Sequence, residues 1–370
     1  MEPPLPLVIH EVLPTEVLGA IFEEHAKWEW KAPMTDGRVC RLWRQVVLNT
    51  PRVWAYLEVH QDNQPGILGL TSWLRRSGTA PLHISVDKDF TPDEHISKRT
   101  FYDLLGDHHK RIAFLKMGKG DPSFFEGRDF PCLRLLSVEH WSPPHFSSTV
   151  PWRRMPALRS LRLGATNWSA VPLSMQASFK ELIMYKGSTI SLPRHFNSLT
   201  RLMLDDVLLE DSTSGPMAFP SLTYLSLYDV SGLKPHINAP CLITYHEGGD
   251  TVGESFSAPL PSLVEYGVHD HYARDSYLAM WHLCFPNILR LSLRARQSVL
   301  LSFLVILSSQ PNLLPALKMI SVGQLYEMDD QEDLQKAMDR LVQGWGRACS
   351  IDTDPRVPIF FGEVREFFIR

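Results

Sequence analysis

Apolar residues follow two periods along this chain: a helical one near the N-terminus, and a short strand-like alternation that recurs after it. Val17, Leu18, Ile21, Phe22 and Trp28 place apolar side chains on one stripe of a first helix. Pro14 suits its first turn, where the missing N–H costs nothing, and Glu16 complements the positive end of the helix dipole. A second helical pattern runs through Val39, Cys40, Trp43, Val46 and Val47. It stops near Asn49-Thr50-Pro51, because the residue before a proline is pushed out of helical angles. Leu68 to Arg76 predicts another helix, closed at Gly78 by a left-handed cap, after which Leu82, Ile84 and Val86 alternate as a strand.

Beyond residue 108 one phrase recurs at least eight times: a Pro or Ser, an apolar residue, two variable ones, an apolar one, a variable one and an apolar one. Clear copies begin at Pro131, Pro156, Ser198, Pro220, Pro261, Pro286 and Pro315, and weaker ones at Ile112, Phe179 and Leu242. From Ile112 to Leu317 the leading apolar residues are spaced by 21, 25, 21, 20, 23, 20, 21, 25 and 29 residues, within the leucine-rich-repeat range. The last two apolar positions of each phrase alternate with polar ones, so a short strand points them inward. No unit of this length buries its own apolar face, and stacked neighbours must cover it, which predicts a solenoid with a parallel sheet. The inserts His271 to Cys284 and Gln297 to Ser309 suit helices, whereas Ala165 to Ser178 predicts irregular chain. Asp329 to Trp345 has the mixed-charge pattern of a terminal helical cap.

The N-terminal helices are too small to be stable alone, since each buried Leu, Val or Phe contributes only about 1.5–3 kcal/mol. Three sub-motifs occur there in order: Leu13-Pro14-x-Glu16-Val17-Leu18-x-x-Ile21-Phe22, then Val39-Cys40-Arg41-x-Trp43-Arg44, then Pro51-Arg52-x-Trp54. Together they resemble the F-box, as it occurs in many proteins of mushroom-forming fungi. The following phrase, Trp73 to Val86, is similar to the segment that often succeeds it there. The resemblance implies a module that binds a Skp-type adaptor and, through it, a cullin scaffold of an SCF-type ubiquitin ligase. Residue by residue it implies adaptor contacts at Leu13 and Pro14 in the opening, at Val17, Leu18 and Ile21 in the first helix, and at Val39, Cys40 and Trp43 in the second. Lys31 to Arg38 is more polar and turn-like than the family's usual run at that place.

The expected fold class is therefore α/β: a small N-terminal helical F-box module, then an irregular leucine-rich-repeat solenoid with a curved parallel sheet. The expected divisions are a tail at 1–10, the module at 11–57, a connecting helix and strand unit at 58–108, the array at 109–323 and a C-terminal cap at 324–370. On the concave face, residues flanking the central apolar position of each repeat are the natural partner-reading positions: Arg162, Glu181, Arg201, Tyr224, His246, Glu265 and Arg290. The expected function is substrate recognition for ubiquitination, with an unknown target protein on the repeats. The alternative is a repeat scaffold whose helical module is only a cap, without a ligase role.

Composition narrows this further. A 44% hydrophobic and 21% charged chain has a core to bury, and a net charge of -4 offers no broad positive field for nucleic acid. Five scattered cysteines without a CxxC pair suggest small buried side chains in a reducing compartment. The first residues lack a basic region and the longest apolar run, Val299 to Leu307, is too short to span a bilayer, so a cytoplasmic or nuclear protein without membrane contact is expected. No GxSxG, HExxH, phosphate-loop or GxGxxG pattern occurs, so neither catalytic residue, metal nor cofactor is expected. Histidine pairs His108-His109 and His269 with His271 predict surface residues, His246-Glu247 before Gly248-Gly249 predicts a turn, and a third, weak reading makes His269 or His271 part of a hydrolase. Arg153, Arg154, Arg159 and Arg162 form a local basic cluster suited either to an anion or to a solvated repeat edge.

Overall fold

Both periods produce the elements they predict in the structure, a computed structural model. It describes residues 13–60, 67–87, 98–119, 122–140, 150–164, 168, 171–193, 195–209, 217–232, 237–249, 260–270, 287–295, 297–309, 314–324, 336, 339 and 350–352. The described chain falls into two compact units, divided between Leu158 and Arg159.

The first unit opens with helices α1 (Thr15–Trp28), α2 (Ala32–Asp36) and α3 (Arg41–Asn49). Pro14 is the N-cap of α1, one residue ahead of the first turn, and its carbonyl accepts from the N–H groups of Val17 and Leu18. Leu18, Phe22 and Ala26 face inward, and Gly19 lets α1 approach the end of α3, where an added Cβ would stand 3.2 Å from Thr50 Oγ1. The polar stretch ahead of α3 folds as the short α2. Cys40 then leaves it in extended geometry as the N-cap of α3, its sulfur accepting the Trp43 N–H at 3.4 Å.

What steadies these helices is a tryptophan cluster. Trp73, on α4 (Ile67–Arg76), meets Trp30 at 5.1 Å and Trp54 at 4.8 Å between ring centroids, and Arg76 lies over Trp54 at 4.6 Å. The Trp54 indole donates to Val47 O and that of Trp73 to Tyr56 O, so the polar edge of each ring is satisfied. Gly78 has φ +53°, the left-handed cap expected after α4. Arg111 completes that helix end: its guanidinium donates to Leu74 O, Ala80 O and Ser77 Oγ, a cation at the negative end of the dipole.

Strands β1 (Tyr56–Val59), β2 (Leu82–Val86), β3 (Ile112–Lys119) and β4 (Leu135–His140) pair in parallel in that order, and α5 (Lys98–Gly106) lies between β2 and β3 in sequence. Parallel pairing thus begins at Tyr56, and the connecting unit contributes strands of its own. Leu57, Ile84, Leu115 and Leu136 form one buried row, and Val59, Val86, Met117 and Val138 the next.

The second unit is a parallel β-solenoid. Its strands are β5 (Ser160–Gly164), β6 (Glu181–Ile190), β7 (Arg201–Leu209), the short β8 (Met217–Ala218), β9 (Tyr224–Tyr228), the short β10 (Ser231–Gly232) and β11 (Ile237–Asn238), β12 (Thr244–Gly248), β13 (Glu265–Asp270), β14 (Arg290–Ala295), β15 (Met319–Gln324) and β16 (Ser350–Asp352). The ladder runs β5-β6-β7-β9-β12-β13-β14-β15-β16; β10 pairs with β7, and β11 with β8. All the leading residues of the repeated phrase are buried: Ile112, Leu133 and Leu158 in the first unit, and Phe179, Leu199, Leu222, Leu242, Leu263, Ile288 and Leu317 in the second.

Two departures from the expected pattern have local causes. Cys132 and Cys241 are exposed, not buried, because each sits in the turn just before a leading leucine, where the side chain points to solvent; Cys40 is half-buried, and Cys284 and Cys349 lie outside the described residues. His246 and Glu247 belong to β12 and not to a turn, since flanking strands pair with every residue from Thr244 to Gly248. The Gln297 insert is helix α7 (Gln297–Ser309), while the described part of the Ala165 insert includes the four-residue α6 (Leu173–Gln176). His271 to Cys284 and most of Asp329 to Trp345 lie outside the described residues.

Candidate interaction surfaces

Helix α1 has apolar residues on two faces. Leu18 and Phe22 go inward, but Val17 and Ile21, one turn apart, are 42% and 48% exposed, and Trp28 is 53% exposed on the same side. Val39, just before α3, is 60% exposed, Pro14 is exposed and Leu13 half-buried. The eight positions singled out by the resemblance therefore divide by role. Val17, Ile21, Val39 and Pro14 face solvent; Leu18 is core; Cys40 caps α3. Trp43 packs on Phe22 at 4.8 Å, and its indole N–H, shielded from solvent, finds no hydrogen-bond partner among the described residues.

On the second unit the two faces of the sheet differ sharply. Inward rows are Leu161, Leu182, Leu202, Leu225, Tyr245, Tyr266 and Leu291, and Leu163, Met184, Leu204, Leu227, Glu247, Val268 and Leu293. The opposite, open face carries the seven expected partner-reading residues. Glu181, Arg201, Tyr224, Glu265 and Arg290 share one row with Thr244; Arg162 and His246 occupy the next, two residues along.

Six of the seven touch one another in sequence. Arg162 donates to Glu181 at 2.9 Å, Glu181 lies 3.7 Å from Arg201, and the Arg201 guanidinium stands 4.2 Å over the Tyr224 ring. The Tyr224 ring stacks on His246 at 5.7 Å, and His246 Nε2 is 3.8 Å from Glu265. Arg290 is exposed and continues the row. Burial pushes the Arg162 pKa down to about 10 against the pull of Glu181, so it stays charged at neutral pH. Burial, helped by Arg201, lowers His246 to about 4; its approach to Glu265 at pH 7 is thus that of a neutral imidazole and not an ion pair.

The basic cluster divides along the same lines. Arg162 pairs with Glu181, Arg154 with Asp129 at 3.4 Å, and Arg153 and Arg159 are exposed. His108 and His109 are half-buried, burial lowering the pKa of His108, and His109 Nδ1 lies 2.7 Å from Gly106 O, so they are not free surface residues. His269 belongs to β13, and His271 falls outside the described residues.

Two groups escaped the sequence reading. In the inward rows Tyr245, Tyr266 and Glu247 stand where the other strands have Leu, Ile, Val or Met. The Glu247 carboxylate accepts from Tyr245 Oη at 2.6 Å and from Tyr266 Oη, and the two rings stack at 5.6 Å. The signal was present as a Glu at an inward position of the phrase. On the open face, Tyr185, Asp205 and Tyr228 form a third row, two residues beyond the second. Each is followed by a residue of positive φ, Lys186, Asp206 and Asp229, and the β6–β7 pairing is irregular between Tyr185 and Ser188.

No protein-family model matches the chain, and no curated protein matches it. Among solved structures, a Bacteroides fragilis protein determined by structural genomics is similar at 10% identity, covering 66% of this chain and 75% of its own, with a TM-score of 0.28. Among the described residues no helix is long and apolar enough to cross a membrane, and no group of three or more His, Cys, Asp or Glu side chains could hold a metal ion.

Proposed function

We propose that this protein is a non-catalytic substrate-recognition adaptor of an SCF-type ubiquitin ligase. Its N-terminal helices are an F-box that docks on a Skp-type adaptor, and its strands are a leucine-rich-repeat array whose open face holds the target. The observation that carries this reading is the second apolar face of α1. Val17 and Ile21 cost solvation without contributing to the core, and apolar residues left in water on an element otherwise well packed mark a surface meant to be covered. Val39 adds to that apolar surface, and all three are positions where the F-box resemblance implies adaptor contact.

Co-expression of the full chain with a Skp-type adaptor tests it. The wild type co-purifies; Val17→Asp with Ile21→Asp does not, yet keeps its thermal midpoint because both side chains are exposed. Leu68→Asp, at a residue 84% exposed on α4, retains the adaptor. A wild type that fails to co-purify sinks the proposal and leaves the repeat scaffold with a helical cap, a reading favoured by the tryptophan cluster between the module and α4.

A further inference from the structure

On the open face of the second unit, six of the seven expected recognition residues already engage one another laterally. In the row beside them, Asp205 is not engaged in this way. Asp205 is half-buried between Tyr185 and Tyr228 in strict register on the neighbouring strands, and it makes no ion pair or hydrogen bond among the described residues. Asp206 and Asp229 lie close enough to raise its energy further, and Lys186, the cation that eases it, forms no ion pair with it. Burial first, then the two neighbouring carboxylates, push the Asp205 pKa up to about 6. A carboxylate in this position is stabilised by any cation that reaches it.

We propose that Tyr185, Asp205 and Tyr228 form a recognition site for a lysine or arginine side chain on a basic segment of the partner protein. Parallel strands are about 4.8 Å apart, so a cation above Asp205 lies roughly 5 Å to the side of each flanking tyrosine strand, inside the ~6 Å range of cation–π attraction. The carboxylate supplies charge and the rings supply apolar contact for the methylene stem. The neighbouring chain of Arg162, Glu181, Arg201, Tyr224 and His246 acts as a rigid floor, because each member is held by the next. The site rests on the reading of this face as the target-binding one and is independent of adaptor docking.

Fluorescein-labelled hexalysine, titrated into the full chain and followed by anisotropy, tests the site. The wild type binds hexalysine and not hexaglutamate. Asp205→Asn, which keeps the side-chain shape, weakens hexalysine by about two- to fivefold, the value of one partly exposed charge contact. Tyr228→Leu also weakens it, while Glu126→Gln, which removes the same charge from an exposed position in the first unit, does not. Wild-type affinity falls as pH drops from about 7.5 to about 5, through the Asp205 midpoint of about 6. Absence of wild-type binding, or an equal loss with Glu126→Gln, overturns the proposal. Because co-purification of the adaptor reads the helices and this titration reads the sheet, either result can fail without the other.

Discussion

The imidazole of His246 lies over Gly267, its register partner on the next strand: a Cβ at 267 would stand 2.5 Å from Nδ1 and 2.9 Å from Cε1. The absent side chain is what lets the ring lie flat beside Tyr224 and extend the row that begins at Arg162. Gly267→Ala forces the imidazole off this position in a packed site, which costs about 1–3 kcal/mol. Chemical denaturation of the variant should show that loss. His246→Ala combined with Gly267→Ala should lose less than the sum of the two single changes, since the clash is then gone.

Acid acts on this protein in two opposite senses. His83 stands between the rings of Tyr56 and Phe114, at 4.8 and 5.9 Å, and burial together with Lys27 and Arg134 lowers its pKa from 6.5 to about 4. The folded state therefore binds fewer protons than the unfolded chain between those values, and stability falls as pH drops from about 6.5 to about 4. The full loss from His83 is about 3 kcal/mol, and His246, lowered to the same value, adds in the same sense. His83→Phe keeps the stack and flattens the acid limb of a stability-against-pH curve. Asp205 runs the other way. Its folded pKa is raised from 3.8 to about 6, so its contribution falls as pH rises through that window, and Asp205→Asn is more stable than wild type at pH 7.

Glu247 is held by the hydroxyls of Tyr245 and Tyr266 within rows that are otherwise apolar. Removing one donor leaves a buried carboxylate short of a hydrogen bond, so Tyr266→Phe destabilises by about 1–3 kcal/mol. Replacing the whole group is different in kind. A triple variant, Tyr245→Phe, Tyr266→Phe and Glu247→Leu, removes donors and acceptor together and should be closer to wild type than Tyr266→Phe alone. Thermal midpoints of the two proteins, measured side by side, decide it.

Much of the solenoid was legible in the chain itself. Leading apolar residues at steps of 20 to 29 fix where each repeat turns inward, because a unit this short has one way to hide its apolar side: against the next unit. The strands at Leu82, Ser160, Arg201 and Tyr224, the helix from Gln297 and the left-handed Gly78 all follow from local patterns of this kind. Contacts between strands were another matter. Arg162, Glu181, Arg201, Tyr224 and His246 were recognisable as one face, yet nothing in a single phrase says that they engage one another instead of a partner. That depends on register, which brings residues about 20 positions apart to within a strand spacing of about 4.8 Å.

On α1 the division is the same. The apolar residues of the helix could be read from its period, and that Val17 and Ile21 would be left outside could not, because the inward direction is chosen by where α3 and the tryptophan cluster lie. Sequence alone determined which elements form and which residues are apolar, since both follow from nearest neighbours and spacing. Tertiary structure decided which face is covered, that six open-face residues engage one another, and that Asp205 lies between two tyrosines with no ion pair of its own among the described residues. Burial and register belong to pairs of distant residues, and no local pattern contains them.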